Sequence, residues 1–249
     1  MHLNATNQHS APGIHKLLGA FLLDAGLLGV FWFVGMIFTT AIWVLSVYIT
    51  NAGTIPNSQP GPLASMLIGV AALYLSIIAL WAIRGRQVSV NSTPMTAQQS
   101  ILLAVSCGLG LCLLIMLCTY VLNQLGLDLR PGNQALLEDT GKGTPLMMGI
   151  FTLMIAPIFE ELLFRKQIFA RFHKAGYVIC AYVSSSFLFA FMHEPEPTQG
   201  LARWGLMLLL YVVIGAGFAW VYQKTGRLWP AILAHATYNL LAIGVLFLV

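Results

Sequence analysis

Seven apolar runs, each about as long as a helix that crosses a membrane, dominate this sequence of 249 residues. Spanning the hydrocarbon of a bilayer takes about 20 residues of α-helix. The runs cover residues 25–49, 63–83, 100–122, 145–165, 178–194, 204–223 and 229–248. Proline, glycine and polar residues, which interrupt helices, fill the loops between the runs. The sequence therefore predicts an all-α fold, a polytopic membrane helix bundle with about seven transmembrane helices.

Composition excludes an ordinary soluble domain. Hydrophobic residues make up 58% of the chain and charged residues only 8%, whereas soluble domains carry about 25% charged residues. No segment outside the apolar runs is long enough to bury a core of its own. We therefore expect a polar N-terminal segment with an interfacial entry (1–24), three N-terminal transmembrane helices (25–144) and a core of about four transmembrane helices (145–249).

The basic residues predict how the chain is oriented in the bilayer. With seven spans, nine of the 12 basic residues, Arg165 among them, fall on the side of the N-terminus and three on the other side. Cytoplasmic loops carry the excess of Lys and Arg, so we expect a cytoplasmic N-terminus. No basic run exceeds two adjacent residues, which argues against nucleic acid as a partner.

Two adjacent carboxylates interrupt the fourth apolar run. Glu160 and Glu161 lie in a stretch where a charged side chain costs about 2.5–3.5 kcal/mol to insert. Glu161 and Arg165 are four residues apart, so they share a helix face and can form an ion pair. A structural ion pair accounts for Glu161 and leaves Glu160 unexplained. A carboxyl group in this position can take a proton from water and return it to a leaving amine.

Polar residues also interrupt two later runs. His193 lies near the end of the fifth run, and His235 and Asn239 lie four residues apart on one face of the seventh. Taken alone, each could be a helix–helix hydrogen-bonding residue. Together, three spans carry a general base, two imidazoles and an amide, and ionisable residues inside a membrane mark function by default.

These residues form three motifs, Glu160-Glu161-Leu-Leu-Phe-Arg165, Phe189-Ala-Phe-Met-His193 and His235-Ala-Thr-Tyr-Asn239. In this order, each on its own span, they resemble the CPBP intramembrane proteases. That family includes the type II CAAX prenyl endopeptidases and bacterial Abi-type proteins. The resemblance covers about residues 145–245, so the segment 145–249 is expected to be a CPBP-like catalytic core.

The resemblance implies a role for each motif residue. Glu160 would activate a water for attack on a peptide carbonyl, with His193 positioning that water. His235 and Asn239 would face the oxyanion, and Glu161 with Arg165 would hold the first helix in register. The family also carries a metalloprotease label, and Glu160, His193 and His235 could together bind Zn²⁺. The sequence contains no H-E-x-x-H motif, so we commit to no cofactor and slightly favour a metal-free mechanism.

The favoured function is an intramembrane endopeptidase that acts on a membrane-associated or lipidated peptide or protein, in a bacterial plasma membrane. The alternative is a non-catalytic membrane adaptor or bacteriocin-immunity protein of the same fold. A transporter or proton relay is a third reading, but the internal repeats typical of transporters are not visible in the sequence.

The predicted spans raise one conflict of depth. At 1.5 Å per residue, Glu160 and His235 lie near the cytoplasmic ends of their spans, and His193 lies near the opposite end of its own. The three residues can meet only if the fifth span starts later or deeper than residue 178, with the segment 166–177 descending into the bundle.

Overall fold

The computed structural model describes residues 13–51, 62–84, 90, 95–127, 129, 145–194, 197 and 200–248. Within these ranges the chain forms seven helices and no β-strand. They are α1 (Ile14–Thr50), α2 (Pro62–Arg84), α3 (Ala97–Gln124), α4 (145–174), α5 (Val178–His193), α6 (Leu201–Thr225) and α7 (Leu228–Leu248). The predicted all-α membrane bundle is confirmed. Residues 1–12 of the polar N-terminal segment, and the basic loop residues Arg86, Arg130 and Lys142, lie outside the described ranges.

α4 is a single helical rod whose turns alternate between α and π geometry. It runs through Pro145–Ile150 (α), Phe151–Ile155 (π), Ala156–Glu161 (α), Leu162–Phe169 (π) and Ala170–Lys174 (α). The predicted end of this span at residue 165 is wrong, because Arg165 is fully buried within the bundle instead of entering a loop. Glu160 therefore lies near the middle of α4.

The helices pack largely in pairs, α1 with α2, α3 with α7, and α5 with α6. α1 and α2 approach closely where Gly35 faces Ala72, since a Cβ built on Gly35 would lie 3.1 Å from the Ala72 Cα. Small residues at such crossings allow the close backbone packing typical of membrane helices. By length and composition, α1, α3 and α6 can each cross a bilayer, and α5 is a shorter apolar helix.

α1 begins at Ile14, eleven residues before the predicted start of the first span, and it runs without a break through Asp24. Asp24 does not interrupt the helix because its carboxylate forms an ion pair with Arg171 of α4. The Phe21 ring also contacts Phe172, with ring centroids 5.9 Å apart. The first turns of α1 therefore lie beside the end of α4.

Two glycine turns fix the pairing of the last four helices. Gly176, with φ +86°, joins α4 to α5, and Gly226, with φ +63°, joins α6 to α7. Such positive φ values favour glycine because it has no Cβ. Each turn folds the next helix back antiparallel to the one before it, which brings the motif residues of α4, α5 and α7 together.

Candidate active site

Glu160 lies where two imidazole rings converge. Its Oε2 atom is 3.7 Å from Nε2 of His193 and 3.9 Å from Nε2 of His235. This oxygen is buried and has no hydrogen-bond partner among the described residues. Three motif residues from three helices, α4, α5 and α7, are thus brought together inside the bundle.

His193 is oriented by its own helix and by aromatic rings. Its Nδ1 atom lies 2.9 Å from the carbonyl oxygen of Phe189. A carbonyl oxygen only accepts, so Nδ1 carries the proton and Nε2 presents a lone pair towards Glu160. The imidazole also contacts the Phe189 ring at 4.4 Å and stacks on Tyr211 at 4.8 Å between centroids. These rings leave the imidazole little freedom to turn.

His235 is oriented by the second glutamate of the pair. Its Nδ1 atom lies 3.1 Å from Oε1 of Glu161, and its ring stacks on Phe218 at 4.6 Å between centroids. A carboxylate accepts the Nδ1 proton, and in the neutral imidazole the lone pair of Nε2 then faces Glu160. Glu161 therefore does more than hold a helix in register, because it also selects which nitrogen of His235 faces the site.

Arg165 neutralises Glu161 in a site closed to solvent. Its Nε atom lies 2.8 Å from Oε2 of Glu161, and both side chains are fully buried. Arg165 also donates a 2.8 Å hydrogen bond from Nη1 to Oγ of Ser185, which in turn donates to the Phe164 carbonyl at 2.9 Å. Ser185 was not predicted from the sequence; the only sign was its place in a run of three serines within an apolar helix.

Asn239 contacts the main chain of α4. Its Nδ2 atom donates a 2.9 Å hydrogen bond to the carbonyl oxygen of Thr152. Thr152 lies in the π-helical segment Phe151–Ile155, where the wider turn alters the usual pairing of carbonyl groups. One N–H of the Asn239 amide is therefore committed to holding α7 against α4, and one remains for another acceptor.

The structure removes the conflict of depth by extending α4. Because α4 continues to Lys174, the fifth span can start at Val178 and still bring His193 level with Glu160. The antiparallel register is set where Arg165 meets Ser185, and His193 follows two turns later opposite Glu160. Residues 166–177, which we expected to descend into the bundle, form the last part of α4 and the turn that follows it. His235 lies eight residues into α7.

Two aromatic residues near the site were also missed by sequence reasoning. Tyr211 of α6 stacks on His193. Tyr74 of α2 stacks on Phe159, next to Glu160, with centroids 4.1 Å apart and planes 9° apart. Tyrosine is common at membrane interfaces, so neither position carried a distinctive signal. Tyr74 lies in the N-terminal half, which the motifs do not reach.

The described residues do not form a metal centre as they are placed. Glu160, His193 and His235 have the donor atoms that zinc accepts. Among the described residues, however, no group of three or more His, Cys, Asp or Glu side chains could hold a metal ion. The metalloprotease label is thus not supported by the described residues.

Comparison with known proteins agrees with the motifs. Residues 142–241 match the model of the family described as "Type II CAAX prenyl endopeptidase Rce1-like". A Bacillus subtilis (strain 168) protein named "Putative membrane peptidase YdiL" is 32% identical over 114 residues, which are 46% of this chain and 43% of that protein. The chain thus covers less than half of this relative's length. No solved structure matches significantly. The matched segment contains all three motifs, and residues 142–241 are similar to the Rce1-like family of type II CAAX prenyl endopeptidases.

Proposed function

We propose that this protein is an intramembrane endopeptidase that hydrolyses a peptide bond in a membrane-associated or lipidated peptide or protein. The observation that carries the proposal is the convergence of Glu160 Oε2 with the Nε2 atoms of His193 and His235, at 3.7 and 3.9 Å. The carboxylate oxygen and the two imidazole nitrogens are hydrogen-bond acceptors that face one another, and a molecule with O–H bonds held between them would satisfy them. Water is such a molecule, and it is the nucleophile that a peptidase needs.

The proposed step uses Glu160 as general base. A water held between Glu160 and His193 gives a proton to Glu160 while its oxygen bonds to the carbonyl carbon of the substrate. The carbon–nitrogen bond of the tetrahedral intermediate then breaks, and the proton passes to the leaving amine. The second proton of the water remains on the new carboxyl group, which ionises.

The intermediate carries an oxyanion that needs hydrogen-bond donors. His235 can donate a hydrogen bond from Nε2 only after this atom takes a proton, because the proton of the neutral imidazole is on Nδ1 and is hydrogen-bonded to Glu161. Oε2 of Glu160 lies 3.9 Å from Nε2 of His235. Glu160 can therefore share the proton that it took from water with this nitrogen until the proton passes to the leaving amine. The uncommitted N–H of Asn239 is the second donor that we assign to the oxyanion.

The experiment is cleavage of a quenched peptide panel, prenylated and plain, by purified protein in detergent. Glu160→Gln keeps the shape of the side chain and removes the base, so we expect at least a 100-fold loss of kcat, of the order seen when a general base is removed. Glu138→Gln, in a loop by sequence, is the matched control. Unchanged cleavage by Glu160→Gln would remove the assigned base.

The same assay with and without a strong chelator tests whether cleavage needs a metal ion. Cleavage that survives a strong chelator supports hydrolysis by the protein's own groups. Cleavage that the chelator abolishes and added Zn²⁺ restores would assign a metal to Glu160, His193 and His235. Comparing prenylated with plain peptides decides whether the substrate must be lipidated. The proposed location is a bacterial plasma membrane, with the N-terminus in the cytoplasm.

A further inference from the structure

Tyr211 is placed against the candidate site by stacking. Its ring lies over the imidazole of His193, with centroids 4.8 Å apart and planes 25° apart. Tyr211 lies midway along α6, a helix that carries none of the three motifs. The stacking fixes the phenol beside the imidazole that faces Glu160, so α6 contributes to the site through this residue.

The hydroxyl of Tyr211 lies within electrostatic range of polar groups. The charge of the Glu160 carboxylate acts on this hydroxyl, as do Tyr238 and Glu194. A phenol is neutral near pH 7 and can donate one hydrogen bond. Tyr211 therefore places a hydrogen-bond donor within the electrostatic reach of the proposed base.

The site needs such a donor before the reaction starts. With both imidazoles neutral and their Nδ1 atoms donating, Nε2 of His193 and Nε2 of His235 present lone pairs, which cannot bind a carbonyl oxygen. One N–H of Asn239 is committed to Thr152. A substrate carbonyl entering this site would thus meet more acceptors than donors.

We propose that Tyr211 is a catalytic residue whose hydroxyl donates a hydrogen bond to the carbonyl oxygen of the scissile peptide bond and holds it as the oxyanion forms. This inference rests on the proposed peptidase function. It assigns to the phenol the polarisation of the carbonyl, which neither imidazole can supply until proton transfer has begun. No proton leaves Tyr211, so the proton balance of the hydrolysis is unchanged.

The test is Tyr211→Phe, which keeps the ring that stacks on His193 and removes only the hydroxyl. Removing one donor to an oxyanion lowers kcat by about 100-fold or more. We expect this loss with KM changed less than about twofold, because the donor acts mainly on the transition state. A peptide phosphinate, which resembles the tetrahedral intermediate, should bind more weakly by a similar factor.

The matched control is Tyr222→Phe on the same helix. Tyr222 is buried and contacts Phe169 edge to face, away from the three motif residues. The role of Tyr211 would be overturned if Tyr211→Phe and Tyr222→Phe had the same kcat and the same affinity for the phosphinate. If Glu160→Gln abolished cleavage in the same preparation, the peptidase function would stay intact. Cleavage that persists in Glu160→Gln would overturn both.

Discussion

At the scale of residues, Arg165 shows how a charge is accommodated inside a membrane helix. Its guanidinium pairs with Glu161 and donates to Ser185. It also lies over the rings of Phe164, Phe189 and Phe218, at 5.3 to 5.9 Å from their centroids. Aromatic faces attract cations when water is excluded. The guanidinium that pairs with Glu161 is thus surrounded by a carboxylate, a hydroxyl and three aromatic rings.

Ser185 is the partner of Arg165 whose contribution can be tested most directly. Replacing Ser185 with Ala leaves one N–H of a buried cation without its acceptor, and hydrogen bonds to charged groups contribute about 1.5–3 kcal/mol. We expect Ser185→Ala to lower the free energy of unfolding by about that amount, measured by denaturation in detergent.

The neighbouring serine is the control for that measurement. Within the part of the chain that the structure describes, Ser184 donates only to carbonyl oxygens of its own helix, at 2.7 Å to Cys180 and 3.4 Å to Ala181. Ser184→Ala should therefore change the free energy of unfolding by less than about 0.5 kcal/mol. Equal losses in the two variants would mean that the bond between Arg165 and Ser185 contributes nothing specific.

At the scale of helices, α4 places its carboxylates between two π-helical segments. Phe151–Ile155 precedes the turn with Glu160 and Glu161, and Leu162–Phe169 follows it. Each π turn rotates the residues after it relative to a regular helix, and such turns are frequent at functional sites. The first exposes the Thr152 carbonyl that Asn239 binds, and the second includes Arg165. The irregularity of α4 thus serves the contacts that assemble the site.

The packing of α3 against α7 depends on one glycine. A Cβ on Gly108 would lie 2.5 Å from the Ala234 carbonyl oxygen and 2.8 Å from the Thr237 Cβ. Main chain cannot move aside without shifting α7, which carries His235 between these two residues. We expect Gly108→Ala to cost about 1–3 kcal/mol of stability, the usual cost of overpacking, and to lower cleavage as His235 moves.

Gly110 provides the control on the same helix. A Cβ there meets nothing within 4 Å, so Gly110→Ala should keep the stability and activity of the wild type or gain slightly in helix propensity. Thermal unfolding in detergent and the peptide assay measure both variants. Identical behaviour of the two would contradict the close crossing of α3 and α7.

The sequence predicted what depends on local pattern and missed what depends on helix rotation. Apolar run length predicted seven helices, because the thickness of the bilayer sets it. Spacing of four residues predicted that Glu161 and Arg165 could pair, since it is a property of one helix. Three features depend instead on how separate apolar helices face one another. They are the stacking of Tyr211 on His193, the hydrogen bond from Asn239 to Thr152, and the burial of Arg165. An apolar helix with no distinct polar face gives little information about that rotation.

At the scale of the whole molecule, one end of the bundle collects basic residues. The ion pair between Asp24 and Arg171 sets the start of α1 beside the end of α4. A 2.9 Å contact between Gln223 and His173 sets the end of α6 there too. Basic residues on these segments are Lys16, Arg171, Lys174, Lys224 and Arg227. Burial of Arg165 removes it from the loop count and leaves eight basic residues against three, so the asymmetry persists.

This end of the bundle should face the cytoplasm, because short loops rich in Lys and Arg are retained there. The first residues of α5 and α6 test it as a matched pair, since Val178 follows the basic turn and Leu201 starts at the opposite end. Both are exposed, at 38% and 74%. Each is changed to Cys in full-length protein whose four native cysteines are replaced by alanine. A membrane-impermeant maleimide should label Leu201→Cys in intact cells, and Val178→Cys only after the membrane is permeabilised. The reverse pattern would place the basic end outside and require an inverted bundle.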